Sequence, residues 1–142
     1  MDVKAYLKQP QVLETRIRNR LIEREQLRAL AMKITASMDA VRVRSSGGAS
    51  RMTDAVEKLV ALEVEIDDLV QQLVEARRQV VDSLEALDNP TEYDVLHMRY
   101  VQGKSLHEIA DKYGKEYGWA NTTIWRGMRH LREQLENKCS VL

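Results

Sequence analysis

The chain has 142 residues, with 22 Lys and Arg, 22 Asp and Glu, and one Cys, and 31% of its residues are charged. This length suffices for one domain or two very small ones, and the composition is typical of a water-soluble, helix-rich protein. A single cysteine excludes an internal disulfide, and the lack of a long apolar run excludes a membrane-spanning helix. The start, MDVKAYLKQP, has no secretory apolar stretch, so we expect a cytoplasmic protein.

The net charge of zero hides a strong segregation of charge along the chain. Residues 1–51 carry eleven basic and five acidic side chains, whereas residues 52–91 carry three basic and ten acidic ones. Residues 92–142 are nearly balanced, with eight basic and seven acidic side chains. A basic segment followed by an acidic one favours pairing between the two segments.

The basic segment contains a first long predicted helix, because apolar residues recur there at spacings of mostly three or four. They are Leu13, Ile17, Leu21, Leu27, Ala31, Ile34, Met38 and Val41. A longer gap around Arg24 is expected to weaken the fit to a partner helix. Residues 42–50, RVRSSGGAS, contain Ser and Gly residues that interrupt helices, so we predict a flexible loop there.

The acidic segment has the clearest periodicity of the chain, with two apolar series that each repeat every seven residues. The series are Met52, Leu59, Ile66, Leu73, Val80 and Leu87, and then Ala55, Leu62, Leu69 and Ala76. Such a heptad pattern predicts a long helix whose apolar seam needs a partner helix. We therefore predict that residues 1–89 form an antiparallel helical hairpin (coiled coil), paired within one chain or between two.

Three shorter helices are predicted after this hairpin, in residues 90–142. Pro90 ends the long helix, and Thr91 is predicted to cap a helix that runs to Gln102, before a left-handed Gly103. Ser105 followed by Glu108 is a capping box, which places the start of the next helix at Leu106.

The last predicted helix begins near Asn121 or Thr122, each of which has a side chain suited to a helix N-cap. Its apolar face is formed by residues at spacings of four, three and four. They are Ile124, Met128, Leu131 and Leu135. Three short helices with a glycine at the turn are typical of a helix-turn-helix domain. The fold class is therefore predicted as all-α, with a long antiparallel helical hairpin followed by this small domain.

The segments VLHMRYVQGKSLHEIAD and GWANTTIWRGMRHLREQL resemble region 4 of bacterial sigma factors, which reads the −35 promoter element. The upstream segment ITASMDAVRVRSSGGASRMTDAVEKLVALEVEID is similar to a family of small regulators encoded by phages and prophages of Gram-positive bacteria. The two resemblances imply a sequence-specific transcription regulator that binds double-stranded DNA, with host RNA polymerase as a further candidate partner.

The sequence departs from the sigma pattern at one place. The pattern has its glycine four residues after the alanine of Glu-Ile-Ala, where this chain has Gly114, but the remainder of the pattern fits Gly118. About four residues, KEYG, are therefore inserted, which is roughly one helical turn. We expect either a longer second helix or a looser turn.

The resemblance also implies which side chains would contact DNA in the major groove. The base-contacting positions are Asn121, Thr122 and Arg126, and the positions near phosphates are Trp125, Arg129 and His130. The residue chemistry fits, because Asn can bond adenine and Arg can bond guanine. Arg132 and Lys104 suit the phosphate backbone, and Ser105 with the start of its helix suits another phosphate.

Two other functions compete with this interpretation. One is a DNA-packaging protein, because small terminase subunits also join a helix-turn-helix to oligomerising helices. The other is a coiled-coil scaffold that binds no DNA. We expect the chain to form a homo-oligomer through its coiled coil, with a dimer favoured for the regulator. The sequence indicates no enzyme and no cofactor, and its three histidines, His97, His107 and His130, have no metal-ligand spacing.

Overall fold

The computed structural model describes residues 2–40 and 46–140. Over this part the chain forms five helices and no strand. They are α1 (Val3–Ala40), α2 (Ser46–Glu85), α3 (Pro90–Tyr100), α4 (Leu106–Tyr113) and α5 (Tyr117–Ser140). The predicted all-α architecture, with two long helices followed by three shorter ones, is confirmed.

The helices form two compact units. The first unit comprises Met1–Val12 and Leu73–Leu142, and the second comprises Leu13–Gln72. The first ten residues of α1, residues 3–12, therefore belong to the same unit as α3, α4 and α5. The predicted functional domains, residues 1–89 and 90–142, stay a prediction.

In the second unit, α1 and α2 run antiparallel and are joined by ion pairs of the predicted sign. Arg20 Nε lies 2.7 Å from Glu65 Oε1, and Arg28 Nη2 lies 3.4 Å from Glu63 Oε1. From Arg20 to Arg28 the residue numbers rise along α1, while those of the partner residues on α2 fall, as expected for antiparallel helices. Because these pairs are exposed, they contribute little net stability and mainly favour this pairing over like-with-like association.

Arg24 fills the predicted gap in the apolar series of α1. Its side chain is only 24% exposed, and Nη1 lies 3.3 Å from Glu63 Oε1. Its Nε atom is buried and makes no hydrogen bond. The helix pair therefore continues past the gap, but with a guanidinium in place of an apolar side chain.

All ten residues of the predicted heptad seam are buried or half-buried. Residues 42–45 of the predicted loop lie outside the described residues, and the prediction of a loop is wrong for residues 46–50, which form the start of α2. From Ser46 onward the chain is helical, so Gly47 and Gly48 lie in the first turn of α2. Ser and Gly are both well tolerated at a helix start, where the first N–H groups have no partner within the helix.

The predicted cap of α3 is wrong by two residues. Asn89, not Thr91, is the N-cap: its Oδ1 accepts hydrogen bonds from Thr91 N at 2.9 Å and from Glu92 N at 3.2 Å. Pro90 follows at the first helical position, where its missing N–H costs nothing and its fixed φ suits the helix.

The core of the first unit is built by residues from every helix. It contains Val3 and Leu7 of α1, Val80 and Leu84 of α2, Val95 and Leu96 of α3, Ile109 and Ala110 of α4, and Ala120, Ile124, Met128 and Leu131 of α5. Most of these side chains are less than 5% exposed. This shared core fixes α5, the predicted recognition helix, against its neighbours.

Gly127 allows α5 to approach α3 closely, and its replacement offers a test of this packing. A Cβ at Gly127 would lie 3.0 Å from Leu96 Cδ1, and Leu96 is fully buried. We expect Gly127→Ala to lower the free energy of unfolding by about 1 kcal/mol despite its better helix propensity. Gly118→Ala, with nothing within 4 Å of the added Cβ, is the matched control and should be neutral or slightly stabilising. Urea unfolding followed by tryptophan fluorescence measures both variants, because Trp119 and Trp125 both lie in α5.

Candidate nucleic-acid interface

The start of α4 is capped as the sequence predicts. Ser105 has extended backbone angles and its Oγ accepts a hydrogen bond from Glu108 N at 3.1 Å. Gly103 has a φ of 74°, the left-handed conformation predicted for the end of the preceding segment. Lys104 is exposed between them, with Nζ 3.8 Å from Glu108 Oε2. Lys104 and Ser105 therefore lie together at the start of α4.

The end of α4 is closed by a Schellman motif around Gly114, whose φ is 62°. Gly114 N donates to Asp111 O at 3.1 Å, and Lys115 N donates to Ala110 O at 2.9 Å. Only Gly114, Lys115 and Glu116 lie between α4 and α5. The turn is therefore short, and α4 is not extended.

The inserted turn lies at the start of α5, which corrects two predictions. The helix begins at Tyr117 and not near Asn121 or Thr122, and neither the second helix nor the turn is lengthened. The earlier start has a physical cause, because Trp119 packs on Tyr113 with ring centroids 5.1 Å apart and Ala120 is fully buried. Asn121 and Thr122 consequently lie in the second turn of α5.

α5 has a buried face and an exposed face, divided as its spacing predicts. Ile124, Met128 and Leu131 are buried and Leu135 is half-buried. The opposite side, which we call the outer face, consists of Asn121, Thr122, Trp125, Arg126, Arg129 and Arg132, all exposed. Glu133 and Glu136 are exposed farther along the helix. The arginines of the outer face therefore lie in the first two-thirds of α5, whereas Lys138 is exposed near the end of the helix.

His130 lies at the edge of the outer face and is bonded to a buried carboxylate. Its Nδ1 lies 2.6 Å from Glu92 Oε1, and Glu92 is only 3% exposed. The His130 side chain is itself 42% exposed. The imidazole thus joins α5 to the first turn of α3, while part of its ring still faces solvent. A carboxylate in the first turn of a helix is favoured by the helix dipole.

A second carboxylate, Asp94, joins α3 to the end of α4. Asp94 Oδ2 accepts hydrogen bonds from Lys112 Nζ at 2.8 Å and from the Tyr113 hydroxyl. Burial alone would raise the pKa of Asp94, but these hydrogen bonds outweigh it and hold that pKa below its ordinary value. Burial and the bond to Asp94 raise the pKa of Tyr113 to about 12.

Replacing Asp94 should therefore change how stability depends on pH. Because its pKa is lower in the folded protein, its contribution is full above the unfolded value, about 4, and is lost as pH falls through the folded value. We expect Asp94→Asn to destabilise the protein near pH 7, with the difference from wild type shrinking below about pH 4. Urea unfolding at a series of pH values measures this difference, and Asp111→Asn, at an exposed position on α4, is the control. A difference that is constant with pH would contradict this role.

Two side chains near α5 were not identified from the sequence. Glu92 shows no local signal, because its burial depends on the packing of α3 against α5. Lys4 belongs to α1, and its Nζ lies 5.8 Å from the centroid of the Trp125 ring. No sequence pattern connects Lys4 with a residue more than a hundred positions away.

Two other kinds of feature are absent from residues 2–40 and 46–140. Within these ranges no three His, Cys, Asp or Glu side chains are grouped so that they could hold a metal ion. The same part of the chain has no helix with the length and apolar character needed to cross a membrane. The polar surfaces of α4 and α5 remain the clearest functional feature.

Comparison with known proteins agrees with the geometry of α3, α4 and α5. A family model described as "Sigma-70, region 4" matches residues 84–133, which is less than half of the chain. Comparisons with curated proteins and with solved structures gave no match. Residues 84–133 are thus a helix-turn-helix similar to sigma-70 region 4, and this similarity indicates a regulator that binds DNA.

Proposed function

We propose that this protein is a sequence-specific transcription regulator of phage or prophage type, which reads the major groove of DNA with α5. The observation that carries the proposal is the outer face of α5, where three arginines, Asn121 and Thr122 are exposed opposite a buried apolar face. The short, capped turn before α5 supports this proposal, because a recognition helix must be held in a fixed orientation to enter the groove.

The residues divide into base-contacting and phosphate-contacting groups. Asn121, Thr122 and Arg126 contact base edges, since their amide, methyl and guanidinium groups match adenine, thymine and guanine. Trp125, Arg129 and Arg132 contact the backbone, and His130 does so with the exposed part of its ring. Lys104 and Ser105 hold another phosphate at the start of α4. The protein acts by binding, without catalysis and without a cofactor.

The start of α5 at Tyr117 changes how the base-contacting residues are presented. In a recognition helix the first turn reaches deepest into the groove. Here the first turn contains Gly118 on the exposed side, and Asn121 and Thr122 follow one turn later. Because Gly118 has no side chain, the groove can approach the helix closely enough for both residues to reach base edges.

The long helices α1 and α2 supply a dimer contact through a coiled coil. The helix-turn-helix domains of the two chains then bind two DNA half-sites. Regulation proceeds through contact with host RNA polymerase, as the resemblance to sigma region 4 and to phage regulators implies. The valines exposed along α2 in the second unit, Val56, Val60 and Val64, support an association surface there.

Selection of binding sites from fragments of the source genome, combined with a mass measurement in solution, tests this function. We expect the selected fragments to share a sequence motif. With about four phosphate contacts per helix-turn-helix domain, the slope of log affinity against log salt concentration should be roughly −3 to −4 per domain. Enrichment of no motif, or binding that is insensitive to salt, would reject the regulator. A ring of eight or more chains would instead favour a DNA-packaging protein.

A further inference from the structure

The first turns of α1 are built into the same unit as the helix-turn-helix. Val3 and Leu7 are buried in the core that includes Ile124 and Leu131. The hydroxyl of Tyr6 lies 3.0 Å from Gln79 O and 2.8 Å from Ser83 Oγ. This segment is therefore a fixed part of the unit that carries α5.

The segment is tied to α3 as well. Gln11 Nε2 donates a hydrogen bond to Arg99 O at 2.9 Å, near the end of α3. At its other end, Asp2 Oδ1 accepts a hydrogen bond from Ala5 N at 3.1 Å, which caps the start of α1. The Gln11 contact and the burial of Val3 and Leu7 hold this backbone in one position. Side chains that project from this backbone consequently have a defined location next to α5.

Lys4 projects from this segment toward the outer face of α5. Its Nζ lies 5.8 Å from the centroid of the Trp125 ring, within the range of a cation–π contact. Trp125 is 54% exposed and lies four residues from both Asn121 and Arg129, so the three share one side of α5. A cation from α1 therefore stands beside the residues proposed to contact DNA.

Lys8 extends the same edge of α1. It lies one helical turn after Lys4, and both side chains are exposed, whereas Val3 and Leu7 face the core. α3 contacts α5 on another side, through Leu96 at Gly127 and Glu92 at His130. The outer face of α5 is therefore bordered near Trp125 by a lysine-bearing edge and near His130 by α3.

We propose that Lys4 binds a DNA phosphate beside α5, with Lys8 extending this contact along the backbone, so that α1 forms one flank of the DNA-binding surface. This inference rests on the proposed function. A lysine ammonium is a compact charge on a flexible stem, which suits phosphate and carries no base preference. Trp125 holds the Lys4 side chain over the outer face, where the lysine contacts the DNA strand that lies beside α5.

Binding of the full chain to the selected duplex at several salt concentrations tests the contact. We expect Lys4→Gln to weaken binding about fivefold near 0.1 M salt and to make the slope of log affinity against log salt less negative by about 0.9. The loss should be the same for selected and scrambled duplexes, because a phosphate contact reads no sequence. Lys4→Arg should keep the wild-type slope. Lys33→Gln, which removes an exposed lysine from the second unit, is the matched control.

The outcomes separate this inference from the proposed function. If wild-type protein binds the duplex and Lys4→Gln keeps the wild-type slope, the Lys4 contact is wrong while the regulator stands. An equal loss for Lys33→Gln also rejects the contact, because only net charge would then matter. If wild-type protein shows no salt-dependent DNA binding, both proposals fail. Circular dichroism of each variant at the assay temperature checks that the helices are intact.

Discussion

Replacing Arg126 and Arg129 together with alanine should weaken binding to the selected duplex by about 100-fold. Arg126 is assigned to a base edge, where a bidentate contact to guanine gives about 1–3 kcal/mol of discrimination. Arg129 is assigned to a phosphate, whose loss removes about one unit of salt slope. Both side chains are exposed on the outer face, so neither replacement removes core packing.

The single variants distinguish these two roles. Arg126→Ala should relax the preference at one base position, whereas Arg129→Ala should weaken binding to selected and scrambled duplexes alike. Fluorescence anisotropy with labelled duplexes at several salt concentrations measures both effects. Arg18→Ala combined with Arg51→Ala is the matched control, because it removes the same charge from exposed positions in the second unit. If the double variant at positions 126 and 129 binds like wild type, α5 is not the reading helix.

Features encoded by neighbouring residues could be predicted from the sequence. The Ser105 cap of α4 depends on a serine and an amide three residues away, so a short motif is sufficient. The buried face of α5 follows from the spacing of Ile124, Met128 and Leu131, which a helix places on one side. The basic and acidic segments likewise predicted that α1 pairs with α2.

The two helix boundaries that were predicted wrongly have different explanations. Asn89 and Thr91 are both good N-cap residues, and Pro90 decides between them because proline favours the first helical position. The start of α5 depends on packing of Trp119 against Tyr113, which overrides the capping preference of Asn121 and Thr122. The start of α3 can be inferred from the local sequence, whereas the start of α5 depends on tertiary packing.

Features that join distant parts of the chain could not be predicted. Lys4 reaches Trp125 only because Val3 and Leu7 enter the core of the first unit. The sequence predicts all of α1 as a hairpin helix. It does not reveal that the first turns of α1 pack in the unit that contains α5. Long-range packing decides which charged residues lie beside the outer face.

Removing the imidazole of His130 should destabilise the first unit by about 1–2 kcal/mol. Glu92 is 3% exposed, and its Oε1 lies 2.6 Å from His130 Nδ1. His130→Ala leaves Glu92 buried without that donor, and leaving a buried acceptor without its partner costs about 1–3 kcal/mol. The partial exposure of His130 places the expected loss at the lower end of that range. Urea unfolding followed by tryptophan fluorescence measures it in the unit that contains α5.

A double-mutant cycle with Glu92→Gln tests whether the loss arises from this pair. Glutamine is neutral and nearly the same size as glutamate, so it leaves no buried charge when the imidazole is removed. We expect His130→Ala to cost at least about 1 kcal/mol less in the Glu92→Gln background than in wild type. Arg129→Ala, the adjacent exposed position, is the control and should change stability by less than about 0.5 kcal/mol. If His130→Ala has the same cost in both backgrounds, the imidazole stabilises α5 independently of Glu92.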